Sequence, residues 1–448
     1  MDLDLSKIKK IYFIGIGGIG ISALAKWAKA RGIEVSGVND EEGKTIDSLK
    51  DMEIEIVYKK DYKVLPEADM YVYSDAWLNR GPEILESARA TGKPVLSYAE
   101  ALGVFSKSYK TIAISGTHGK TTTTAMVADI LIDGGLDPTV IVGSFVKKFA
   151  PIVNFGEAQS AMKSSPKSTT GFGSNFRAGK SEYFVVEADE YNRHMLQLHP
   201  YIGAITNIEA DHLDCYKDLD DIKKAFDQFL AQSENKVLDY SEYISKVPKL
   251  AVPGEHNRQN AALALAVAQI LGIDENVAKK SLENFQGTWR RLEKRGVTEI
   301  GTIIYDDYAH HPTEVRASIE ALRELYPMDG LTLTEIAEGK GKKITIVFQP
   351  HLYSRTKALF DDFAKCFHFA DKVIILPIYF ARENPDDSIS SGLLAEAICQ
   401  NGDKAIAFTD FELAEEYIKN QNFGENDIFV TMGAGEAYKV ADKVFKFS

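Results

Sequence analysis

Apolar and polar positions alternate along the chain in two rhythms. Short runs of period two, such as Ile112 and Ile114, give way to stretches whose apolar residues lie three and four apart, such as Met126, Val127, Ile130 and Leu131. The first rhythm predicts buried strands and the second predicts helices packed on them, because side chains change face at every residue in a strand and return after about 3.6 residues in a helix. Strands are expected in such runs and in short apolar runs at 11–14, 33–38, 54–58, 70–74, 94–97, 111–115, 183–186, 202–205, 303–305, 344–348, 373–376, 405–408 and 428–431, with helical patterns between most of them. Such alternation predicts an α/β chain built on largely parallel, doubly wound sheets.

Two stretches break the rhythm. Residues 151–180 are rich in Ser, Gly and Lys and read as a loop or an insertion, and 328–343 read as a flexible surface excursion. Residues 286–296, QGTWRRLEKRG, are basic and read as a linker whose Arg290 and Arg291 are candidates to steady phosphates. With 448 residues, about three domains are expected, at 1–107, 108–296 and 297–448.

The chemistry concentrates where strands end. The strand at 111–115 runs into Gly116-Thr117-His118-Gly119-Lys120-Thr121-Thr122 and then into a helix stopped by Gly134 and Gly135. Strand, glycine turn, Lys-Thr and helix form the layout of a phosphate-binding loop, in which backbone N–H groups and a helix N-terminus face anionic oxygens. Lys120 would reach the terminal phosphates of a nucleoside triphosphate and the Thr121 hydroxyl would face Mg²⁺. The longer G-x-x-x-x-G-K-[ST] form is not met, because Ile114 stands where its first glycine belongs. The strand at 183–186 ends in Glu187-Ala188-Asp189-Glu190, and that at 202–205 leads to Glu209, Asp211 and His212. Glu187 is the first candidate for a magnesium ligand, and His212 is a second candidate for a metal or substrate role. His256, Asn257 and Asn260 precede a long apolar helix over 261–271 and offer a ring and amides to an adenine. Near the start, IYFIGIGGIG carries Gly15, Gly17 and Gly20 in the G-x-G-x-x-G spacing, with Asp40 twenty positions after the last glycine, where a Rossmann unit places its ribose-binding carboxylate. With a stronger nucleotide site at 116, this first unit reads as the holder of a nucleotide-bearing substrate.

Composition narrows the classes. The net charge of −13 argues against a nucleic-acid partner, so anions must be held by local glycine loops and single cations. Cys215, Cys366 and Cys399 are too far apart for a disulfide framework or metal spacing. MDLDLSKIKK is charged and gives no expectation of a secretory leader, and no run has the length of a membrane span. A cytoplasmic protein without membrane insertion is expected.

Taken in order, GIGGIG, SGTHGKTTTT, VEADE, TNIEADH, HN-x-x-N, RR, DDYAHHPTEV, FQPH-x-YSRT and a late GAG resemble the Mur ligases from residue 11 to residue 435. The resemblance implies a Rossmann-like N-terminal domain for a UDP-sugar, a phosphate-loop central domain for ATP and a Rossmann-like C-terminal domain for an amino acid. It implies ligation of L-alanine to UDP-N-acetylmuramate through an acyl phosphate, in peptidoglycan precursor synthesis, by a monomer or weak homodimer. By motif position it implies Lys120, Glu187 and His212 as catalytic, with Thr121, Glu187 and His212 at Mg²⁺. His256, Asn257 and Asn260 would face adenine, Asp307 the ribose and Arg291 the phosphates. Gly17, Gly18 and Gly20 would line the uridine diphosphate, with Asp40 and Ser74 on uridine and its ribose. Tyr308, His310 and Arg355 would hold the amino acid.

The chain departs from the family pattern at Leu352, where an arginine is expected, at Leu292, where a phenylalanine is expected, in the added 151–172 stretch and in the short 236–253 stretch, where a subsheet is expected to be missing. Leu352 leaves room for a relative that attaches a preformed peptide to the same sugar. The short stretch leaves room for a nucleotide-binding homologue impaired in catalysis.

Overall fold

Strands form where the short apolar runs lie, most of them buried on both faces, and they assemble into three sheets. The computed structural model describes residues 3–149, 173–212, 215–328, 341–380 and 383–447. The first sheet contains β1 (Lys10–Ile14), β2 (Glu34–Asn39), β3 (Glu55–Tyr58), β4 (Met70–Tyr73) and β5 (Val95–Ser97), in the order β3-β2-β1-β4-β5. Every pairing in it is parallel. The order reverses between β1 and β4, and the first glycine turn leaves β1 at that switch point, where open α/β sheets leave a crevice.

The second sheet contains β6 (Lys110–Ser115), β7 (Thr139–Val146), β8 (Ser174–Arg177), β9 (Tyr183–Glu187), β10 (Ile202–Ile205) and β11 (Asn235–Val237), in the order β11-β10-β6-β9-β7-β8. The central place of β6 puts the phosphate loop between the ends of β9 and β10. The third sheet contains β12 (Glu293–Val297), β13 (Ile303–Asp307), β14 (Lys343–Phe348), β15 (Lys372–Ile375), β16 (Ala405–Ala407) and β17 (Asp427–Met432), in the order β12-β13-β17-β14-β15-β16.

Four strands escape the sequence reading. β7 is a buried apolar run that periodicity alone does not separate from a helix. β8 falls in the stretch read as a loop; its polar Asn175 is fully buried because its side chain is spent on contacts to another element. β11 is three residues long. β12 lies in the stretch read as a linker, and it is instead an antiparallel edge strand on β13. Residues 238–253 hold the short helix Ser241–Ile244 and no strand. Most of the expected insertion (151–172) and of the expected excursion (329–340) lie outside the described residues.

The chain divides into two units, Met1–Ala251 with Arg258–Trp289, and Val252–Asn257 with Arg290–Ser448. Residues 290–296, expected in the central domain, therefore belong with the third sheet, because β12 pairs there. The first and second sheets share one unit. A single apolar cluster explains this, running from Ile11, Leu24 and Phe105 to Ile141, Phe176, Phe184 and Phe226.

Within that cluster the helix Ile19–Ala30 lies against β7 and β8. Its Lys26 is 2% exposed, donates to Asn175 Oδ1 at 2.7 Å and lies 5.5 Å from the Phe145 ring centroid. Asn175 Nδ2 in turn donates to the Ile19 carbonyl at 2.6 Å and to Ser22 Oγ at 2.9 Å. Burial pushes the Lys26 ammonium down to about 7 from its ordinary 10.5. Between those two values the unfolded chain binds a proton that the native chain does not, so native stability rises with pH across that window. Compared with Lys26→Met, the parental protein is expected to gain about 2 kcal/mol between about pH 7 and pH 9. Urea unfolding at both pH values checks this, and a constant difference between the two proteins contradicts it.

Candidate active site

The phosphate loop is a glycine turn that leaves no room for side chains. Gly116 has φ 132° and Gly119 has φ 81°. A Cβ on Gly116 would sit 2.0 Å from Thr206 Oγ1, and one on Gly119 would sit 2.3 Å from Asn260 Oδ1. The segment after β10 holds the turn from outside. Asn207 accepts from the His118 N–H at 2.9 Å and donates from Nδ2 to the His118 carbonyl at 3.0 Å. Thr117 N–H donates to the Asn207 carbonyl at 3.0 Å, and Thr117 Oγ1 accepts from the Glu209 N–H at 2.9 Å. His118 Nε2 lies 3.5 Å from Glu209. Thr122 is buried in the first turn of the helix Lys120–Asp133.

Lys120 folds back over the loop. Its ammonium donates to the carbonyls of Gly116 at 2.8 Å and Thr117 at 3.1 Å, and pairs with Glu190 at 2.7 Å. Burial opposes its charge, but Glu190, Asp189 and Glu187 outweigh burial and raise its pKa above the ordinary value. Glu190 is 2% exposed. Burial pushes its carboxyl up, yet Lys120 and the hydrogen bond from His212 hold it below the usual range. Burial and the neighbouring Glu190 raise Asp189. The lysine thus carries a fixed positive charge at the loop.

Glu187 accepts from Thr121 Oγ1 at 2.9 Å and from the Gly143 N–H at 2.7 Å. These are hard oxygen donors side by side, the set a magnesium ion takes. His212 has φ 54°, and its Nε2 lies 3.3 Å from Glu190 and 3.8 Å from Asp211. The structure therefore gathers Lys120, Thr121, Glu187 and His212 around the loop, together with Glu190, to which the sequence reading gave no role. Its only signal was its place in the VEADE run.

The first glycine turn is held by the end of β2. Gly17 N–H donates to Asn39 Oδ1 at 3.1 Å, and a Cβ on Gly17 would meet that amide at 2.6 Å. Asp40, the expected ribose carboxylate, pairs with Arg80 at 3.3 Å, so Asn39 is the side chain that meets the turn. A Cβ on Gly20 would enter the Tyr98 ring at 2.8 Å, and one on Gly18 would lie 4.0 Å from Ser74 Oγ. Ser74 follows β4, across the switch point. Its neighbour Asp75 accepts from His194 Nε2 at 2.8 Å.

In the second unit, burial, helped by Arg291 and opposed by Glu314, pushes His256 down to about 4, so its imidazole is neutral. Asn257 Nδ2 donates to the Pro253 carbonyl at 2.7 Å. Asn260 falls in the first unit, against Gly119. Asp307 ends β13 and accepts from Ser318 Oγ and from the Ala309 N–H at 3.2 Å. Burial outweighs these contacts and raises its carboxyl to about 6. Arg291 lies 3.9 Å from Glu314 and 5.1 Å over the Tyr308 ring.

Arg290 departs from the expectation of a phosphate contact. It is 5% exposed, pairs through Nε with Asp306 at 2.8 Å, donates to the Gly433 carbonyl at 2.6 Å and lies between the Tyr308 and Tyr438 rings. It is a strut that fastens the start of β12 to the GAG turn.

The expected amino-acid residues come together after β13 and β14. His310 Nδ1 faces the Tyr308 carbonyl at 2.9 Å, and its ring lies 5.6 Å from that of His351. Arg355 Nη1 meets His351 Nδ1 at 3.1 Å, and His351 stacks on Tyr379. Leu352 is buried at φ 71°, a backbone conformation uncommon for a side chain other than glycine.

Residues 10–110 match the family model described as Mur ligase family, catalytic domain; 114–247 match Mur ligase middle domain; 290–435 match Mur ligase, glutamate ligase domain. A UDP-N-acetylmuramate–L-alanine ligase of Caldanaerobacter subterraneus is 36% identical, over 99% of this chain and 98% of its own. One of Acetivibrio thermocellus is 36% identical, over 99% and 97%. The crystal structure of the UDP-N-acetylmuramate-alanine ligase of Thermotoga maritima superposes with a TM-score of 0.75 at 25% identity, over 97% of this chain and 98% of that one. A murein peptide ligase of Psychrobacter arcticus shares the fold, with a TM-score of 0.65 at 21% identity.

Proposed function

The chain belongs to the Mur ligase family, and we propose that it joins L-alanine to UDP-N-acetylmuramate with cleavage of ATP to ADP and phosphate, in peptidoglycan precursor synthesis. The end-to-end similarity to relatives that bear this activity in their names carries the reading. The first sheet holds the UDP-sugar at its glycine turn, with Gly17, Gly18, Gly20, Asp40 and Ser74 as contacts. The loop 116–122 holds the ATP phosphates. His256, Asn257 and Asn260 face adenine, Asp307 the ribose and Arg291 the phosphates. Tyr308, His310 and Arg355 take the amino acid, the last on its carboxylate. Two nucleotide substrates support a cytoplasmic reaction. Among the described residues no helix is long and apolar enough to cross a membrane.

Phosphoryl transfer is chiefly positioning and neutralisation of charge. The lactyl carboxylate of the sugar attacks the γ-phosphorus and ADP leaves; the alanine amine then attacks the acyl carbon and phosphate leaves. Lys120 supplies a charge already fixed at the loop, so no reorganisation is needed as negative charge shifts toward ADP. Thr121 and Glu187 would hold Mg²⁺, with His212 bordering a second ion; the metal would supply neutralisation of the phosphate and carboxylate oxygens.

The test is phosphate release from ATP and Mg²⁺ with UDP-N-acetylmuramate, adding each amino acid in turn. L-alanine is expected to give the strongest response, with glycine and serine weaker. Silence toward every free amino acid, with a response to a peptide, would overturn the choice of amine; silence toward both would overturn the enzyme.

A further inference from the structure

We propose that His194 is a positioning residue for this reaction, a strut that sets the sugar-side turns of the first sheet against the phosphate loop of the second. This rests on the function proposed above. His194 reaches across the two sheets of the first unit: Nε2 lies 2.8 Å from Asp75 Oδ2, and Nδ1 lies 3.9 Å from Asp189 Oδ2. Both ends touch site segments. Asp75 follows Ser74, beside the glycine turn, and Asp189 precedes Glu190, the partner of Lys120. Tyr191 packs edge-on against the imidazole.

The turn that carries His194 is built for this reach. Asn192 and Arg193 both adopt left-handed backbone, at φ 50° and 58°. Asparagine enters this region readily and arginine rarely, so two such residues in succession persist only where surrounding contacts fix them. Here those contacts are present. Arg193 grips both oxygens of Asp221 at 2.9 Å and lies over the Tyr216 ring, whose hydroxyl donates to the Glu190 carbonyl at 2.5 Å. The Tyr191 N–H donates to Asp189 Oδ1 at 3.1 Å and the Met195 N–H to the Asp189 carbonyl at 2.8 Å. Burial opposes charge on His194, but Asp75, Asp189 and Glu190 outweigh it and raise its pKa above the ordinary value, so the strut is reinforced by charge. Asp75 is lowered by the same pairing and by Asn192.

The chemistry needs such a strut. The acceptor carboxylate is carried by one sheet and the γ-phosphate by the other, and they must approach to about 3–3.5 Å; a misplacement of about 1 Å costs on the order of 10²-fold.

The experiment compares His194→Ala, Asp75→Ala, the double variant and His194→Gln, whose amide keeps a donor for Asp75. The expected result is a kcat reduced about 10–100-fold in either alanine variant. KM for ATP and for the UDP-sugar stays within about threefold, the double variant is no worse than the poorer single, and the glutamine restores most of the loss. A kcat within about threefold of the parent, or losses that multiply in the double variant, would overturn the strut. A second readout is independent of turnover: calorimetric titration of UDP-N-acetylmuramate with and without a non-hydrolysable ATP analogue. In the parent the analogue tightens sugar binding by about fivefold or more, and in His194→Ala it does not. A parent that releases no phosphate with L-alanine ends the function proposed above, while the strut stands if the coupling is lost in the variant and falls if coupling is equal in both or absent from the parent.

Discussion

Lys120→Ala is expected to lower UDP-sugar- and alanine-dependent phosphate release by about 10³-fold or more, while UDP-sugar affinity stays within about twofold. The size of the loss follows from the geometry. Two loop carbonyls and Glu190 already hold the ammonium at the loop, and the carboxylates around it raise its pKa, so the charge is in place before nucleotide arrives. Removing it takes away stabilisation at the point where phosphate charge moves, and no rearrangement of water compensates in a buried site. It also leaves Glu190 buried without its strongest partner, which is destabilising in itself. Lys120→Gln keeps donors for the two carbonyls and separates the effects: it is expected to fold like the parent and to remain inactive. Single-turnover phosphate release and calorimetry of the UDP-sugar check both halves. A large loss of sugar affinity in either variant would show that the two ligands do not occupy separate sheets.

The second large effect concerns stability. Arg290→Met is expected to cost about 3–5 kcal/mol and to lower the melting temperature by roughly 10 °C. The guanidinium is enclosed with Asp306, whose other oxygen accepts from Thr431 Oγ1 at 2.6 Å. Removing the arginine strands a buried carboxylate and frees the carbonyl of Gly433. Adding Asp306→Asn to Arg290→Met is expected to restore part of the loss, since the buried charge is then gone as well. Thermal unfolding of the single and double variants reads this. A change below about 1 kcal/mol in the single variant would return Arg290 to the role of a solvated linker residue.

The ordered set of short motifs made the family legible, and the phosphate loop was legible in its residues. Residue-level roles were less so. Thr121 donates to Glu187, and Glu187 adds to the negative charge around Lys120. Arg290 and Arg291 are adjacent and chemically alike, yet one is a buried strut and the other lies against Tyr308 and Glu314. At the end of β2, Asn39 meets the glycine turn and Asp40 meets Arg80. Asn39 is the last residue of β2 and Asp40 the first beyond it, so the place where the strand ends makes this choice and residue type does not.

The sequence by itself determined most of the strands, the helical stretches between them and the glycine turns, because apolar patterning and steric freedom are local properties. Gly119 sits at a positive φ that favours glycine, and β1 is a continuous apolar run buried on both faces. Tertiary structure alone decided the partners. His194 meets Asp75 across 119 positions, and Lys26 meets Asn175 across 149. Those pairs exist because two sheets share one apolar cluster, and the strand order within each sheet selects which loops emerge together. No local pattern encodes that order. It follows from the crossovers that bury the most apolar surface, and the polar contacts of the candidate site fall wherever those crossovers end.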